Sequence, residues 1–383
     1  MPNYSGRWRL SDQIQAVAAG TWTGIPLPQL WTWGLNSSGQ LGSNTVIARS
    51  SPVQVGTLQN WSQISASGQR AISTKTDGTL WAWGFNSYGQ LGDGTVITRS
   101  SPVQVGALTA WSQTAAGPTH SVATKTDGTL WLWGRNTFGQ LGNGTVIDRS
   151  SPVQVGALTT WSQISAGAYH TAAVKTDGTL WTWGINGNGQ LGSGTVVYRS
   201  SPVQVGALTT WAKVSNGTYH TIAIKTDGTL WSWGWNNQGQ LGSNAVTARS
   251  SPVQVGALTN WSQISAANFS AGRSTATKTD GTLWTWGYNL NGPVGDGTVV
   301  DRSSPVQVGA LTTWSQVSAG NYHTAAIKTD GTLWVWGQNI DGQIGDGTVV
   351  SRSSPVQIGS LINWSKISAG ASHTVSIYNG ISN

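Results

Sequence analysis

The sequence predicts an all-β fold, a seven-bladed β-propeller with four-stranded antiparallel blades. Two motifs carry this prediction, because each is present seven times and a fixed period is typical of propellers and solenoids. Trp-x-Trp-Gly-x-Asn recurs every 50 residues, with one step of 53, and alternates with Trp-Ser-Gln-Ile-Ser-Ala-Gly and its variants. The 383 residues also include 51 glycines and 24 tryptophans but no glutamate, which suits turns and an aromatic core better than helices.

The two motifs are divided between the ends of the chain in a way that predicts ring closure. Leu30–Gly42 carries the first motif with no second motif before it, and Trp364–Asn383 carries the second motif with no first motif after it. One blade built from both termini would close the ring and remove exposed sheet edges. We therefore expect residues 29–383 to form the propeller, and residues 1–28 to form a separate N-terminal segment.

Turn signals divide each unit into strands. Thr176–Thr179 contains Asp-Gly, which favours a tight hairpin, and Pro202 suits an edge strand because proline donates no ladder hydrogen bond. Between these signals lies a long glycine-rich loop, 186–201. The predicted strands of this unit are Trp161–Ala166, Thr171–Lys175, Leu180–Gly184 and Val203–Val205.

The predicted strand directions place the variable positions of the repeat on one face of the disc. The first and third strands run the same way, so the Gly-x-x-His segment and the loop after Trp-Gly lie at one face, opposite the Asp-Gly turns. Large aromatic side chains on loops are typical of recognition surfaces, although drift in tolerant loops also produces variation. We assign Tyr169, Tyr219 and Tyr322, which precede histidines, to local packing. The candidate binding residues are Leu35, Phe85, Tyr88, Arg135, Phe138, Ile185, Tyr198, Trp235, Tyr288 and Gln338.

Histidines and arginines recur at fixed positions of the repeat. All five histidines occupy one position, where the other two units align Arg70 and Ser270. A metal ring is one interpretation, but a fixed positive charge there favours structural histidines. The arginine before each Ser-Ser-Pro, such as Arg199, could clamp an anion or hold its own loop through backbone carbonyls. Its presence in all seven units favours the second role.

Composition excludes most catalytic chemistry. The chain has no cysteine or glutamate, and six of its thirteen aspartates lie in the predicted hairpin turns, so we expect no catalytic, metal or cofactor site. The net charge of +7 arises from one Lys, one Asp and one Arg per typical repeat, which predicts an even basic ring. Such a ring is a weaker nucleic-acid footprint than a clustered patch, so nucleic acid is not the favoured partner. The sequence has no apolar run long enough to predict membrane insertion.

The repeat resembles that of the regulator of chromosome condensation family. The resemblance rests on Gly-x-x-His, Lys-Thr-Asp-Gly-Thr-Leu and Trp-Gly-x-Asn-x-x-Gly-Gln-Leu-Gly, from about residue 29 to the C-terminus. It implies a seven-bladed propeller. The family includes exchange factors and a plant photoreceptor, but the tryptophans of the photoreceptor's Gly-x-x-His segment are absent, and the single three-residue insertion is too small for the exchange-factor loops.

The N-terminal segment gives a second, shorter resemblance. Tyr4–Ser11 is similar to leading segments of tailed-phage virion proteins, and the residues from Ser11 to Gly20 predict a short capped helix. These observations lead to the hypothesis of a non-enzymatic, virion-associated binder of a host-surface glycan or protein. The alternative is an intracellular protein-interaction scaffold. Without a recognisable signal peptide, we expect a soluble protein, either cytoplasmic or virion-associated.

Overall fold

The computed structural model describes residues 28–157, 159–268 and 272–380. These residues form 28 β-strands arranged as seven four-stranded antiparallel sheets, which confirms the predicted seven-bladed propeller. Each blade runs from an inner first strand to an outer fourth strand, and the inner strands of successive blades contact one another around the axis. The predicted N-terminal segment and its helix lie outside the described residues. No helix that could cross a membrane occurs among the described residues.

The blades follow the chain. Blade 1 is β3 (Trp61–Ser67), β4 (Arg70–Lys75), β5 (Leu80–Gly84) and β6 (Arg99–Gln104); blade 2 is β7 (Trp111–Ala116), β8 (His120–Lys125), β9 (Leu130–Gly134) and β10 (Arg149–Gln154); blade 3 is β11 (Trp161–Ala166), β12 (His170–Lys175), β13 (Leu180–Gly184) and β14 (Arg199–Gln204); blade 4 is β15 (Trp211–Asn216), β16 (His220–Lys225), β17 (Leu230–Gly234) and β18 (Arg249–Gln254). Blade 5 is β19 (Trp261–Ala266), β20 (Arg273–Lys278), β21 (Leu283–Gly287) and β22 (Arg302–Gln307); blade 6 is β23 (Trp314–Ala319), β24 (His323–Lys328), β25 (Leu333–Gly337) and β26 (Arg352–Gln357).

Blade 7 joins the two ends of the chain, as predicted. It consists of β27 (Trp364–Ala369), β28 (His373–Tyr378), β1 (Gln29–Gly34) and β2 (Arg49–Gln59). In its centre, Trp31 pairs with Ser376 in an antiparallel register. The fourth strands begin earlier than the sequence predicts, because the backbone of Gly184 already pairs with Arg199. The glycine-rich loop therefore ends at residue 198 instead of 201.

Tryptophans form the packing layer between adjacent blades. In blade 3, Trp161 meets Trp181 and Trp183 edge to face, with ring centroids 6.5 and 6.2 Å apart. The same cluster includes Val122 and Leu130 of blade 2, so the indoles fill the space between two sheets. Apolar burial of this size, repeated at every blade, supplies the main driving force for ring closure.

A polar contact accompanies this layer. The Gln140 carbonyl of blade 2 accepts hydrogen bonds from Trp183 Nε1 (2.9 Å) and Thr171 Oγ1 (2.8 Å) of blade 3. Since Thr171 donates its only proton there, it accepts from His120 Nε2, 2.9 Å away. His120 therefore carries its proton on Nε2. Its unpaired Nδ1 faces Gly117, where a Cβ would lie only 3.1 Å from it. The histidine position is structural.

Two buried arginines replace histidine at this position. Arg70 donates to the Gly117 carbonyl (2.7 Å) and the His120 carbonyl (2.5 Å), and it is fully buried. The alignment of Ser270 with this position is wrong. Arg273 occupies it, because Arg273 begins β20 and pairs with Gly287 as histidines pair elsewhere. The three-residue insertion precedes Arg273 and displaces the alignment.

Replacing Arg70 by methionine should destabilise the fold by about 3 kcal/mol, because the buried Gly117 carbonyl would lose its donors. Urea unfolding would measure the loss. Arg249→Met, at an exposed arginine, is the control and should cost less than about 0.5 kcal/mol. Equal losses in the two variants would show that the hydrogen bonds of Arg70 to blade 2 do not stabilise the fold.

Acid should destabilise the propeller at pH values where most proteins remain stable. Burial lowers the pKa of His120, His170, His220 and His323 to about 3, and that of His373 to about 4. The unfolded chain takes up these protons near pH 6.5, whereas the folded chain does not. The contribution of the histidines to the free energy of unfolding is therefore constant above this pH. Below it the free energy of unfolding falls, by up to about 1.4 kcal/mol per pH unit per histidine.

The free energy of unfolding measured between pH 7.5 and pH 4.5 would test this expectation. His170→Gln should reduce the slope by one histidine's share, whatever its effect on stability at neutral pH. An unchanged slope in this variant would mean that His170 is protonated in the folded protein.

Candidate recognition face

The two loops that carry the variable positions lie side by side in every blade. The backbone N–H that follows each Trp-Gly donates to the carbonyl of the residue before the histidine position, as Arg135 does to Thr119 at 2.9 Å. We call this side of the disc the variable face; it comprises the loops between first and second strands and between third and fourth strands. The remaining bonds of this type join Leu35 to Ser372, Phe85 to Gln69, Ile185 to Tyr169, Trp235 to Tyr219, Tyr288 to Gly272 and Gln338 to Tyr322.

A buried asparagine fixes each of the long loops. Asn186 donates from Nδ2 to the carbonyls of Thr195 (2.9 Å) and Val197 (3.1 Å), and its Oδ1 accepts from the Leu191 N–H. The seven equivalent asparagines are fully buried. The loop backbone is thus held from within, which leaves the side chains above it free to differ between blades.

The aromatic residues of the variable face on blades 2 to 4, three of them predicted to bind and two assigned to local packing, form one continuous cluster. Phe138 meets Tyr169 at 5.5 Å and Tyr198 at 5.8 Å between ring centroids. Tyr169 stacks on Tyr219 at 6.1 Å, and Tyr219 meets Trp235 edge to face at 6.1 Å. Contacts of this kind hold the rings in defined orientations.

Arg135 extends the cluster into blade 1. Its guanidinium lies 4.9 Å from the ring centroid of Tyr88, 5.6 Å from that of Tyr169 and 5.8 Å from that of Phe138. Tyr88 in turn contacts Phe85 at 6.4 Å. We call the whole set the aromatic arc; it consists of Phe85, Tyr88, Arg135, Phe138, Tyr169, Tyr198, Tyr219 and Trp235.

Four of the ten predicted residues lie outside this arc. Tyr288 pairs with Tyr322 at 6.1 Å on blades 5 and 6. Leu35, Ile185 and Gln338 are half-buried at the position that Arg135 has in its own blade, and they add no ring to the arc.

Sequence reasoning missed two features of the variable face. Tyr169 and Tyr219 do pack locally, but they also connect the arc through contacts between blades, for which the sequence gives no local signal. Paired aliphatic residues of the long loops are also exposed, for example Val96 (61 %) and Ile97 (58 %). Such a pair recurs in six of the seven units and is therefore not a variable position of the repeat, while the loop of blade 4 has Val246 and Thr247. The other exposed members are Val46, Ile47, Val146, Ile147, Val196, Val197, Val246, Val299, Val300, Val349 and Val350.

The recurrent arginines do not all act alike. Arg99, Arg302 and Arg352 form ion pairs with loop aspartates at 2.8, 2.6 and 3.2 Å, so the expectation that backbone carbonyls hold them is wrong. Although burial by itself raises the pKa of Asp93, hydrogen bonds from Thr95 and Arg99 hold it below its ordinary value. The other four loops have Ser or Asn in place of this aspartate, at Ser43, Asn143, Ser193 and Ser243.

The charge on the variable face is therefore uneven, in contrast to the even ring that the sequence predicts. Blades 2 to 4 present four arginines (Arg135, Arg149, Arg199 and Arg249) and one aspartate, Asp148. Blades 5 and 6 present two arginines, both ion-paired, and four aspartates, namely Asp296, Asp301, Asp341 and Asp346. The aromatic arc thus lies mostly on the basic half.

The hairpin aspartates on the opposite face serve the turns. Asp177 Oδ1 accepts hydrogen bonds from Thr179 N (2.9 Å) and Thr179 Oγ1 (2.7 Å), and Thr179 Oγ1 accepts from Trp181 Nε1. These bonds lower the pKa of Asp177. Among the described residues, no group of three or more histidines and aspartates could hold a metal ion.

Comparisons with known proteins agree with this architecture. A family model of the RCC1-like domain matches residues 13–317, and two models of the regulator of chromosome condensation (RCC1) repeat match residues 314–343 and 330–377. No curated protein matches the chain.

Among solved structures, human WBSCR16 is 21 % identical with a TM-score of 0.82, and the match covers 92 % of this chain and 99 % of that one. Prp20p of Saccharomyces cerevisiae, described with its binding to Gsp1p and histones, is 20 % identical with a TM-score of 0.82 and 94 % coverage of each chain. Yeast RCC1 (Prp20) bound by Kap60 is 19 % identical with a TM-score of 0.83, covering 96 % of this chain and 92 % of that one. At these identities the likeness concerns the fold. Because the domain model spans about four-fifths of the residues, the chain belongs to the RCC1-like domain family.

Proposed function

We propose that the protein is a non-enzymatic recognition propeller that binds another protein through its variable face. The observation that carries the proposal is the aromatic arc, which joins seven rings and one arginine over four blades on internally fixed loops. Tyrosine, tryptophan and arginine are the residues enriched at binding hot spots. Fixed loops also reduce the entropy lost on binding.

The exposed aliphatic pairs favour a protein partner over a glycan. Val196 and Val197 are 58 % and 54 % exposed beside Tyr198, and similar pairs recur around the face. Burial of such side chains against an apolar surface is favourable, whereas a glycan presents mainly hydroxyl groups. The related yeast propeller is described with protein partners, Gsp1p, histones and Kap60, which supports the same class of ligand.

Two finer hypotheses fall within this proposal. The resemblance of the N-terminal segment to phage virion proteins would make the partner a host-surface protein. An intracellular scaffold would use the same face, but no feature of the described residues favours it.

The double variant Tyr198→Ala, Trp235→Ala tests the proposal. Peptides selected from a displayed random library against the wild-type protein should lose at least about thirtyfold in affinity for the variant, as expected for two hot-spot rings. Biolayer interferometry would measure the affinities, and circular dichroism would check the fold. Leu208→Ala, Leu258→Ala is the matched control, because both leucines lie on the opposite face. Each is 47 % exposed, similar to the 48 % exposure of Tyr198.

Selected peptides that bind both double variants like the wild type would contradict the assignment of the variable face. A glycan array run beside the selection covers the other class of ligand. Glycan binding that only the arc variant loses, in the absence of arc-dependent peptides, would replace the protein partner with a carbohydrate.

A further inference from the structure

We propose that Arg135 binds a carboxylate, and that the segment of the partner docking on the aromatic arc is therefore acidic. This inference rests on the proposed function, because it specifies the ligand chemistry of the same face.

Arg135 is held in place but not neutralised. Its Nε donates to Thr137 Oγ1 at 3.1 Å, and three rings surround its guanidinium. Aromatic rings orient a cation without cancelling its charge. None of the three ion pairs among the described residues includes Arg135. Its terminal nitrogens thus remain available to bind both oxygens of one carboxylate.

The other blades show that the fold does not require arginine here. The residues at the same position are Leu35, Phe85, Ile185, Trp235, Tyr288 and Gln338, none of which carries a charge. All seven positions make the same backbone hydrogen bond whatever the side chain is. The loop backbone therefore does not require the Arg135 charge, which is available for a role in binding.

The surroundings of Arg135 reinforce the preference for an anion. Arg149 and Arg199 follow loops with Asn143 and Ser193, where blades 1, 5 and 6 have the aspartate that pairs with arginine. Asp148, the aspartate of this region, accepts the backbone N–H of Asn136 at 2.7 Å. A local excess of positive charge steers acidic ligands to the site and raises their association rate.

An acidic peptide fits this site better than a nucleic acid. Exposed aliphatic residues flank the arginines, with Val146 and Ile147 both 60 % exposed. They suit a segment in which carboxylates alternate with apolar side chains. A phosphodiester chain has no aliphatic groups to bury there.

The test uses a fluorescein-labelled peptide of four Glu-Gly-Leu repeats, with a Gln-Gly-Leu peptide of equal length, and fluorescence anisotropy on the full chain. The glutamate peptide should bind more tightly, and Arg135→Gln should weaken it at least about tenfold, because a charge-assisted bidentate pair is lost. Arg135→Lys should not restore the affinity, since an ammonium lacks the planar fork. Arg49→Gln, which removes the same charge from blade 7, should change it less than about twofold.

Three results would overturn the inference: equal binding of the two peptides, equal losses in Arg135→Gln and Arg49→Gln, or tighter Arg135-dependent binding of a labelled oligothymidylate, which would assign the site to nucleic acid. Some library peptides could require Tyr198 and Trp235 but be neither acidic nor sensitive to Arg135→Gln. That result would refute only the binding of a carboxylate by Arg135 and leave the proposed function intact. Loss of arc-dependent binding altogether would refute both.

Discussion

Beside the tryptophan layer, each blade meets the next at one carbonyl acceptor of its long loop, and in five of the seven contacts this carbonyl accepts both an indole N–H and a hydroxyl from the next blade. The Gln140 carbonyl receives the indole N–H of Trp183 and the hydroxyl of Thr171 from the next blade, so it fixes how two sheets meet. The same acceptor lies in the loop whose outer side chains form the variable face. A loop bound to its neighbour through backbone atoms can change its exposed side chains at little cost to stability. Blade closure and tolerance of variation therefore both involve the backbone of this loop, which Asn136 also holds from within.

The histidine position, at the start of each second strand, is occupied by two chemically different residues. Histidine fills it as a neutral group, and in four of the five cases its Nε2–H donates to a hydroxyl of the next blade, as in His170 and Thr221 at 3.0 Å. Arginine fills it as a buried donor to carbonyls, and burial lowers the pKa of Arg70 and Arg273 to about 9. Arginine thereby gives buried carbonyls a donor, whereas histidine leaves its Nδ1 without a partner. They differ in their response to acid, because only the histidines titrate near neutral pH in the unfolded chain.

The sequence was sufficient for the features that repeat and insufficient for those that depend on a single side chain. Period, closure and strand direction predict the blades and the shared face, because each follows from seven copies. The three-residue insertion before Arg273 displaced the alignment of that repeat, so that Ser270 and not Arg273 was matched to the histidine position. The ion pairs of Arg99, Arg302 and Arg352 depend on whether one loop residue is Asp, Ser or Asn. Continuity of the aromatic arc depends on contacts between blades, for which Tyr169 and Tyr219 give no local signal.

A sevenfold ring of near-identical units has no preferred direction, so any orientation of a ligand must come from the residues that break the symmetry. Here two differences overlap on blades 2 to 4, whereas blade 1 carries rings of the arc together with the Asp93–Arg99 ion pair. The rings connected through Tyr169 and Tyr219 lie on blades 1 to 4, and the loop aspartates that neutralise arginine in blades 5 and 6 are missing from blades 2 to 4. Their overlap around Arg135 gives the face an uneven charge, with a basic part on blades 2 to 4 and an acidic part on blades 5 and 6. A partner with a single acidic segment could then dock in one orientation only.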